Sequence, residues 1–368
     1  MAQFMKGKRL SVLFFNEAVK PLLHTSFPNL KYSVGLIGPG SDVLDFDTKR
    51  SIDHDWGPRV VLFLPEKEFH TQKEKISRHL SNNLPHTFRG FTTNFGLPDE
   101  KGVKVSRKIT SGPINHGVKI YTMRSFFREY LGLDLRKEIS TIDWLTFSEQ
   151  KLLSIRKSEI FHDDLGLRKV VNELHYYPED VWLYLLASQW SRIAQEESFM
   201  GRCGELGDEL GSMIVASRLC KDIMKLCYLM EKEYSPYMKW FGTGFSKLAS
   251  SKKLTPLLRK TLESKNWKLR EKYLSQMYEY AGRRHNELGI TRTIKPKVSN
   301  FHDRPFLVIH GELFAQELRK RIKNPELSSL PLIGSINQFS DSTDVLENDT
   351  TNFKLAYKPK QAAYRTPQ

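Results

Sequence analysis

Leu36-Ile37-Gly38-Pro39-Gly40-Ser41-Asp42-Val43-Leu44-Asp45-Phe46-Asp47, followed by Ser51-Ile52-Asp53-His54-Asp55-Trp56, is the stretch on which the fold turns. Tyr32 to Ile37 is a short β-prone run that enters a tight Gly38-Pro39-Gly40 turn. A glycine lets another group approach the backbone closely, and the free N–H groups of Gly40-Ser41, opening a short helix after a strand, suit a phosphate. The Ser41 hydroxyl adds a donor. On a strand Asp53 and Asp55 would share a face. Two adjacent carboxylates repel unless a cation lies between them, and a hard, oxygen-liganded ion such as Mg²⁺, or Mn²⁺ in its place, fits that pair together with substrate phosphates. The nearer acids, Asp45 and Asp47, fall too close to Ser41 for a helical turn and a new strand to intervene, and read as a polar loop. A calcium loop starting at Asp42 fails, because its glycine and terminal glutamate are missing.

Outward from this stretch, apolar residues from Leu10 to Leu23 recur at helical spacing. Arg59 to Leu64 is a buried strand, Lys67 to Leu84 a helix, Val118 to Met123 a strand, and Arg124 to Leu131 a helix. Asp99 to Asn115 reads as a polar loop. Strands alternating with helices give the first part of the chain a sheet with flanking helices. After Tyr177-Pro178 the period is helical from Val181 to Tyr234, with a kink near Gly201 to Gly211, and again from Leu254 to Leu288. Phe306 to Ile309 reads as one more strand and Leu313 to Ile322 as a helix. The expected class is α+β: residues 1–166 a mixed sheet with helices, 167–324 a helical domain, and 325–368 a disordered tail rich in Ser, Asn, Asp, Thr and Pro.

Composition narrows the function. No run of about 18 apolar residues exists, so no membrane span is expected, and the apolar run Leu10 to Phe15 is too short for a signal peptide. The 3 cysteines have no C-x-x-C spacing, and the 11 histidines are scattered. Neither a disulfide framework nor a zinc site follows, and a reducing, cytoplasmic setting is expected. The formal net charge is +15, and Lys252 to Lys297 carries 13 Lys/Arg against 4 Asp/Glu. Phosphate-bearing partners, nucleic acid among them, fit this segment; a solvated helix surface is the plainer account.

The order strand, Gly-Ser, gap, Asp-x-Asp resembles the signature of the DNA polymerase beta-type nucleotidyltransferases. Pro39 and His54 stand where that signature has apolar residues. A closer resemblance rests on Asp53-His-Asp-Trp-Gly-Pro-Arg59, Trp144-Leu-Thr-Phe-Ser-Glu-Gln-Lys-Leu-Leu153 and Tyr177-Pro-Glu-Asp-Val-Trp-Leu-Tyr184. Gln195-Glu-Glu, Gly207-Asp-Glu-Leu-Gly211 and Lys239-Trp-Phe-Gly242 add to it. Together these are similar to the nucleotidyltransferase-like family catalogued as domain of unknown function 4037, over about Phe14 to Leu248. The resemblance implies a nucleotidyltransferase fold for the first domain. Gly40, Ser41 and Ser51 would then hold nucleotide phosphates, and Asp53 and Asp55 would bind metal. It also implies a third acid from a later strand. Glu159-Ile-Phe-His-Asp-Asp-Leu-Gly166 is similar to such a strand and points to Asp163, with Asp164 as its neighbour. The competing role for Asp163 is to cap a helix starting near Leu167.

In the helical domain Arg192, Glu196, Arg202 and Lys239 are candidates to bind substrate, and salt-bridge roles compete with that reading. Gly201, Gly204, Gly207 and Gly211 fit close helix packing or a surface for the ligand. Trp182, Trp190 and Trp240 read as core. The expected reaction transfers a nucleoside monophosphate from a nucleoside triphosphate to an acceptor hydroxyl, with pyrophosphate leaving. Two other classes compete: a non-catalytic, regulatory nucleotide-binding module, and a nucleic-acid-binding protein using residues 252–297.

Overall fold

The structure is a computed structural model and describes residues 3–54, 56–97 and 105–347. The chain divides into two compact units, Met1–Glu138 with Lys151–His175, and Ile139–Gln150 with Tyr176–Gln368.

The first unit is built on a four-stranded sheet: β1 (Ser33–Leu36), β2 (Arg59–Phe63), β3 (Gly117–Tyr121) and β4 (Glu159–Asp163), in the order β3-β2-β1-β4. β1 is antiparallel to both β2 and β4, and β2 is parallel to β3, so the sheet is mixed. Arg59 to Leu64 is apolar after its first residue because both faces of β2 are covered. Val60 and Leu62 join Leu10, Phe14, Ile76 and Leu80 in one core cluster. On the opposite pleat, Phe63 meets Phe126 edge-on at 5.4 Å. The first helical rod runs over Gly7–Phe14, one π turn at Phe15–Val19, and Lys20–Ser26. Pro21 accounts for the π turn, since it has no N–H to offer the carbonyl four residues back. Short elements without a sequence signal also occur, including the hairpin Thr87–Phe88/Phe91–Thr92.

The second unit is mainly helical. Glu179–Glu196, Phe199–Glu205 and Glu209–Met230 replace the single kinked helix expected there. The break falls at Gly207, with φ +78°, and Asp208 caps the next helix by accepting from the Gly211 N–H at 2.8 Å. Gly204 is a packing residue: a Cβ there would lie 2.1 Å from Trp267 Cγ. Ser251–Leu262, Trp267–Glu287 and Gly311–Arg319 follow, with a hairpin of Ser299–Phe301 and Arg304–Val308. Trp190 stacks on Phe314 at 4.2 Å and donates to His285 Nδ1 at 3.2 Å. Burial pushes the His285 imidazole down to about 4, so it is a neutral acceptor in this core. Among the described residues no helix is long and apolar enough to cross a membrane.

The expectation of disorder from residue 325 is corrected for 325–347. Pro325–Ser329, Ile336–Phe339 and Thr343–Glu347 are helical, and Ile336, Asn337 and Gln338 are buried. Asn337 accepts from the Glu149 N–H at 2.9 Å and donates to the Phe147 carbonyl at 2.9 Å. Gln338 donates to the Leu185 carbonyl and to Gln189 Oε1, both at 3.0 Å. Leu327, Ile336 and Leu346 are buried too, but they are too widely spaced to show a period, and the polar anchors leave no apolar signal. Residues 348–368 lie outside the described part.

Two outcomes follow for stability. Asn337→Ala leaves buried partners unsatisfied and should cost about 1–3 kcal/mol in urea unfolding; deletion of residues 331–368 should lower Tm further, where a detached tail would leave both unchanged. Glu197 is buried and accepts from the N–H groups of Ile309 at 2.7 Å and Gly311 at 3.2 Å. Burial pushes its carboxyl up to about 7, those two hydrogen bonds notwithstanding. The folded state then holds the proton more tightly than the unfolded chain. This group's contribution is full below its ordinary value of 4.5 and is lost as pH rises through about 7. Tm measured from pH 4.5 to 7.5 should show a falling component that Glu197→Gln removes.

Candidate functional site

β1 runs out through Ile37 into the Gly38-Pro39-Gly40 turn, with φ +99° at Gly38 and +142° at Gly40. Arg59, the first residue of β2, lies against that turn. Its Nη2 donates to the Pro39 carbonyl at 2.9 Å, and its Nε and Nη2 grip the Asp42 carboxylate at 2.9 and 2.6 Å. The Asp42 side chain is 1% exposed. A Cβ on Gly40 would sit 2.2 Å from the guanidinium and 2.3 Å from the Asp42 carboxylate, so only glycine fits. Ser41 opens a turn closed by the Phe46 N–H on its carbonyl at 2.9 Å, not the expected short helix. Among the described residues the half-buried Ser41 hydroxyl has no hydrogen-bond partner.

The other acids of this stretch are engaged. Asp47, read from sequence as part of a polar loop, is a buried hub: Lys6 Nζ lies 3.0 Å away, the Gly7 N–H 2.8 Å and Trp56 Nε1 3.2 Å. Asp45 takes Lys8 at 2.7 Å. The first helix is thereby pinned onto the loop at its N-terminal end.

The acid pair has a different local frame from the one expected. Lys49–Asp53 is a 3-10 helix, His54 follows in extended conformation, and β2 begins only at Arg59. The strand alternation expected of the pair therefore does not hold at Asp53. The Asp53 side chain and Asp55 itself lie outside the described residues. Ser51, assigned to the phosphate side, accepts the Thr48 N–H at 3.0 Å in a capping box that starts the 3-10 turn.

Asp163 is held as a cap. Its Oδ1 accepts from Ser33 Oγ at 2.7 Å and the Leu167 N–H at 2.7 Å, and its Oδ2 from the Arg168 N–H at 3.0 Å. Burial raises its carboxyl, but the Ser33 hydroxyl and the backbone N–H groups outweigh it, so the net direction is down. Asp163 pairs with Ser33, the start of β1, whereas Gly40 follows its end; the cap and the glycine turn are at opposite ends of the strand. Asp164 is paired with His162 at 2.8 Å, which lowers its carboxyl.

In the second unit Arg192 Nε donates to Asp222 at 3.0 Å, Glu196 is bonded to Arg218, and Lys239 lies 5.0 Å from the Trp240 ring centroid. These side chains have structural partners. Among the described residues no group of three or more His, Cys, Asp or Glu could hold a metal ion. Arg59 and Asp42 are the site residues to which sequence reading assigns no role. Their signal is an arginine heading a buried strand and an acid directly after Gly-Ser.

Residues 144–241 match the family model described as Domain of unknown function (DUF4037). The match is narrower than the resemblance drawn from sequence and lies wholly C-terminal to the glycine turn. No curated protein and no solved structure matches the chain.

Gly40→Ala should unfold the turn locally, at about 1–3 kcal/mol for a side chain forced into a strained, occupied position. Arg59→Met, which leaves Asp42 buried and uncompensated, should cost about 3–5 kcal/mol. Denaturant midpoints of the two variants check this; near-wild-type values would mean that the turn does not depend on the pair.

Proposed function

We propose that the chain is a metal-dependent nucleotidyltransferase of the polymerase-beta type, moving a nucleoside monophosphate from a nucleoside triphosphate to an acceptor hydroxyl. The observation that carries this reading is the antiparallel pairing of β1 with β2, Gly35 opposite Val61. It brings the Gly38–Ser41 turn, which leaves β1, to the end of the sheet where the chain enters β2. Arg59 fastens the two together. Asp55 is four residues before Arg59 and so lies within about 14 Å of chain reach from it.

In this reading the Gly40 and Ser41 N–H groups and the Ser41 hydroxyl bind the outer phosphates. Arg59 positions the turn. Asp42, Asp45 and Asp47 already have cationic or N–H partners, and this reading gives the metal role to Asp53 and Asp55. Their oxygen donors suit Mg²⁺ or Mn²⁺, which when bound neutralises phosphate charge during in-line displacement. Asp163 is left out of the metal set because its cap engages both oxygens. A protein with this site takes a nucleoside triphosphate as substrate.

The test is incubation with each labelled nucleoside triphosphate and Mg²⁺, following pyrophosphate release, label transfer to an extract, and binding by calorimetry. Asp53→Asn/Asp55→Asn should weaken Mg²⁺-dependent binding at least about 100-fold, or about 2.7 kcal/mol, while circular dichroism stays that of wild type. Unchanged binding in the folded double variant would overturn the assignment. Binding without pyrophosphate release for any acceptor would make the chain a regulatory nucleotide-binding module instead.

A further inference from the structure

The basic segment from Lys252 to Lys297 is not uniform. In its C-terminal half every cation but Lys295 has a carboxylate partner: Arg283 and Lys297 meet Glu279, Arg284 meets Glu287, and Arg292 meets Glu317. In its N-terminal half most do not. Among the described residues Lys252, Lys253, Arg259, Lys260, Lys265 and Lys272 have no carboxylate partner. Glu263 is the only exposed acid between residues 251 and 272, because Glu271 is buried and accepts from the Leu307 N–H at 3.1 Å. The cations are also aligned. In Ser251–Leu262 the buried residues are Ser251, Leu254, Leu257, Leu258 and Thr261. The outer face therefore carries Lys252 in line with Arg259, and Lys253 in line with Lys260, each pair two helical turns or about 10 Å apart.

Where this helix meets Trp267–Glu287, two of these lysines converge on one ring. Lys260 Nζ is 5.6 Å and Lys272 Nζ 6.0 Å from the centroid of the half-buried Tyr273. Each ammonium is drawn to the ring electrostatically, and with no acid beside them the two leave a local excess of positive charge open to an anion. An aromatic face flanked by cations, continued by a ladder of further cations, is the chemistry that holds a base and its neighbouring phosphates.

We propose that the outer face of Ser251–Leu262, with Lys272 and Tyr273, is a binding surface for single-stranded nucleic acid. The lysines and Arg259 neutralise successive phosphates, and the Tyr273 ring receives a base. This surface lies in the second unit and does not depend on the transfer reaction for its support.

The experiment is fluorescence anisotropy of the full chain with labelled 15-nucleotide single-stranded RNA and DNA, over a salt series. Binding on the order of micromolar near 50 mM salt is expected, falling steeply as salt rises. Lys260→Ala/Lys272→Ala should weaken it at least about tenfold and reduce the log–log salt slope by about 1.4, at about 0.7 for each phosphate no longer neutralised. Arg283→Ala/Arg284→Ala, at two cations that already have carboxylate partners, should leave affinity and slope unchanged. Both pairs are on the helix surface, so circular dichroism and Tm should stay at wild-type values. Binding of either strand type with this pattern supports the proposal. It is overturned by any of three results: no oligonucleotide binding at 50 mM salt, equal losses in the two double variants, or capture by vesicles of anionic lipid without oligonucleotide binding. Tighter binding to duplex than to single strand would overturn the assignment to Tyr273.

Discussion

The ion pair between Arg59 and Asp42 governs the geometry of the first unit. Arg59 heads β2, its guanidinium bonds the Pro39 carbonyl that follows β1, and it covers the Cα of Gly40. Asp42 in turn packs against Gly7, where a Cβ would come within 2.4 Å of the Asp42 Cβ. One interaction therefore fixes the exit of β1, the entry of β2 and the seat of the first helix. A buried ion pair is weak evidence for net stability, since desolvation offsets most of its attraction. Its effect here is to restrict the turn, and the proposed nucleotide site would gain from N–H groups held still before the ligand arrives.

Polar burial also organises the second unit. Glu149 Oε2 accepts from the Ser235 N–H at 2.9 Å while its own N–H donates to Asn337, so a helix, a loop and the C-terminal segment meet on one residue. Glu197 does the same for the hairpin and the helix after it. Such groups are costly when unsatisfied and restrictive when satisfied, which favours one arrangement of the helices over its near alternatives.

The elements legible in the sequence are those whose burial is apolar. β2 is readable because Val60 to Leu64 is continuously apolar, and the helix Glu66–Asn83 because Ile76 and Leu80 recur on one face. The glycine turn is readable because two glycines flank a proline. The path from Thr48 to Pro58 is not. Asp-x-Asp beside aromatic Trp56 looks like a strand, but the capping box at Thr48/Ser51 starts a 3-10 turn, and Trp56 is drawn into the core with its indole N–H on Asp47. The Arg59–Asp42 contact is hidden because the partners are 17 positions apart and neither has a period. The C-terminal segment is hidden because Asn337 and Gln338, ordinarily surface residues, are its buried anchors.

The order in which strands join the sheet has a consequence during synthesis. β1 pairs on one side with β2, close in sequence, but its other neighbour β4 begins at Glu159, 123 residues after β1 ends at Leu36. At about 5–20 residues per second, β1 stands as an open edge for roughly 6–25 s on the ribosome. Throughout that interval its unpaired N–H and C=O groups can template pairing with a neighbouring nascent chain. Residues Ile139–Gln150, which belong to the second unit, emerge inside the same interval. The first unit therefore cannot finish before part of the second has been made, and a translational pause between residues 37 and 158 would lengthen the aggregation-prone state, whereas one after residue 175 would not.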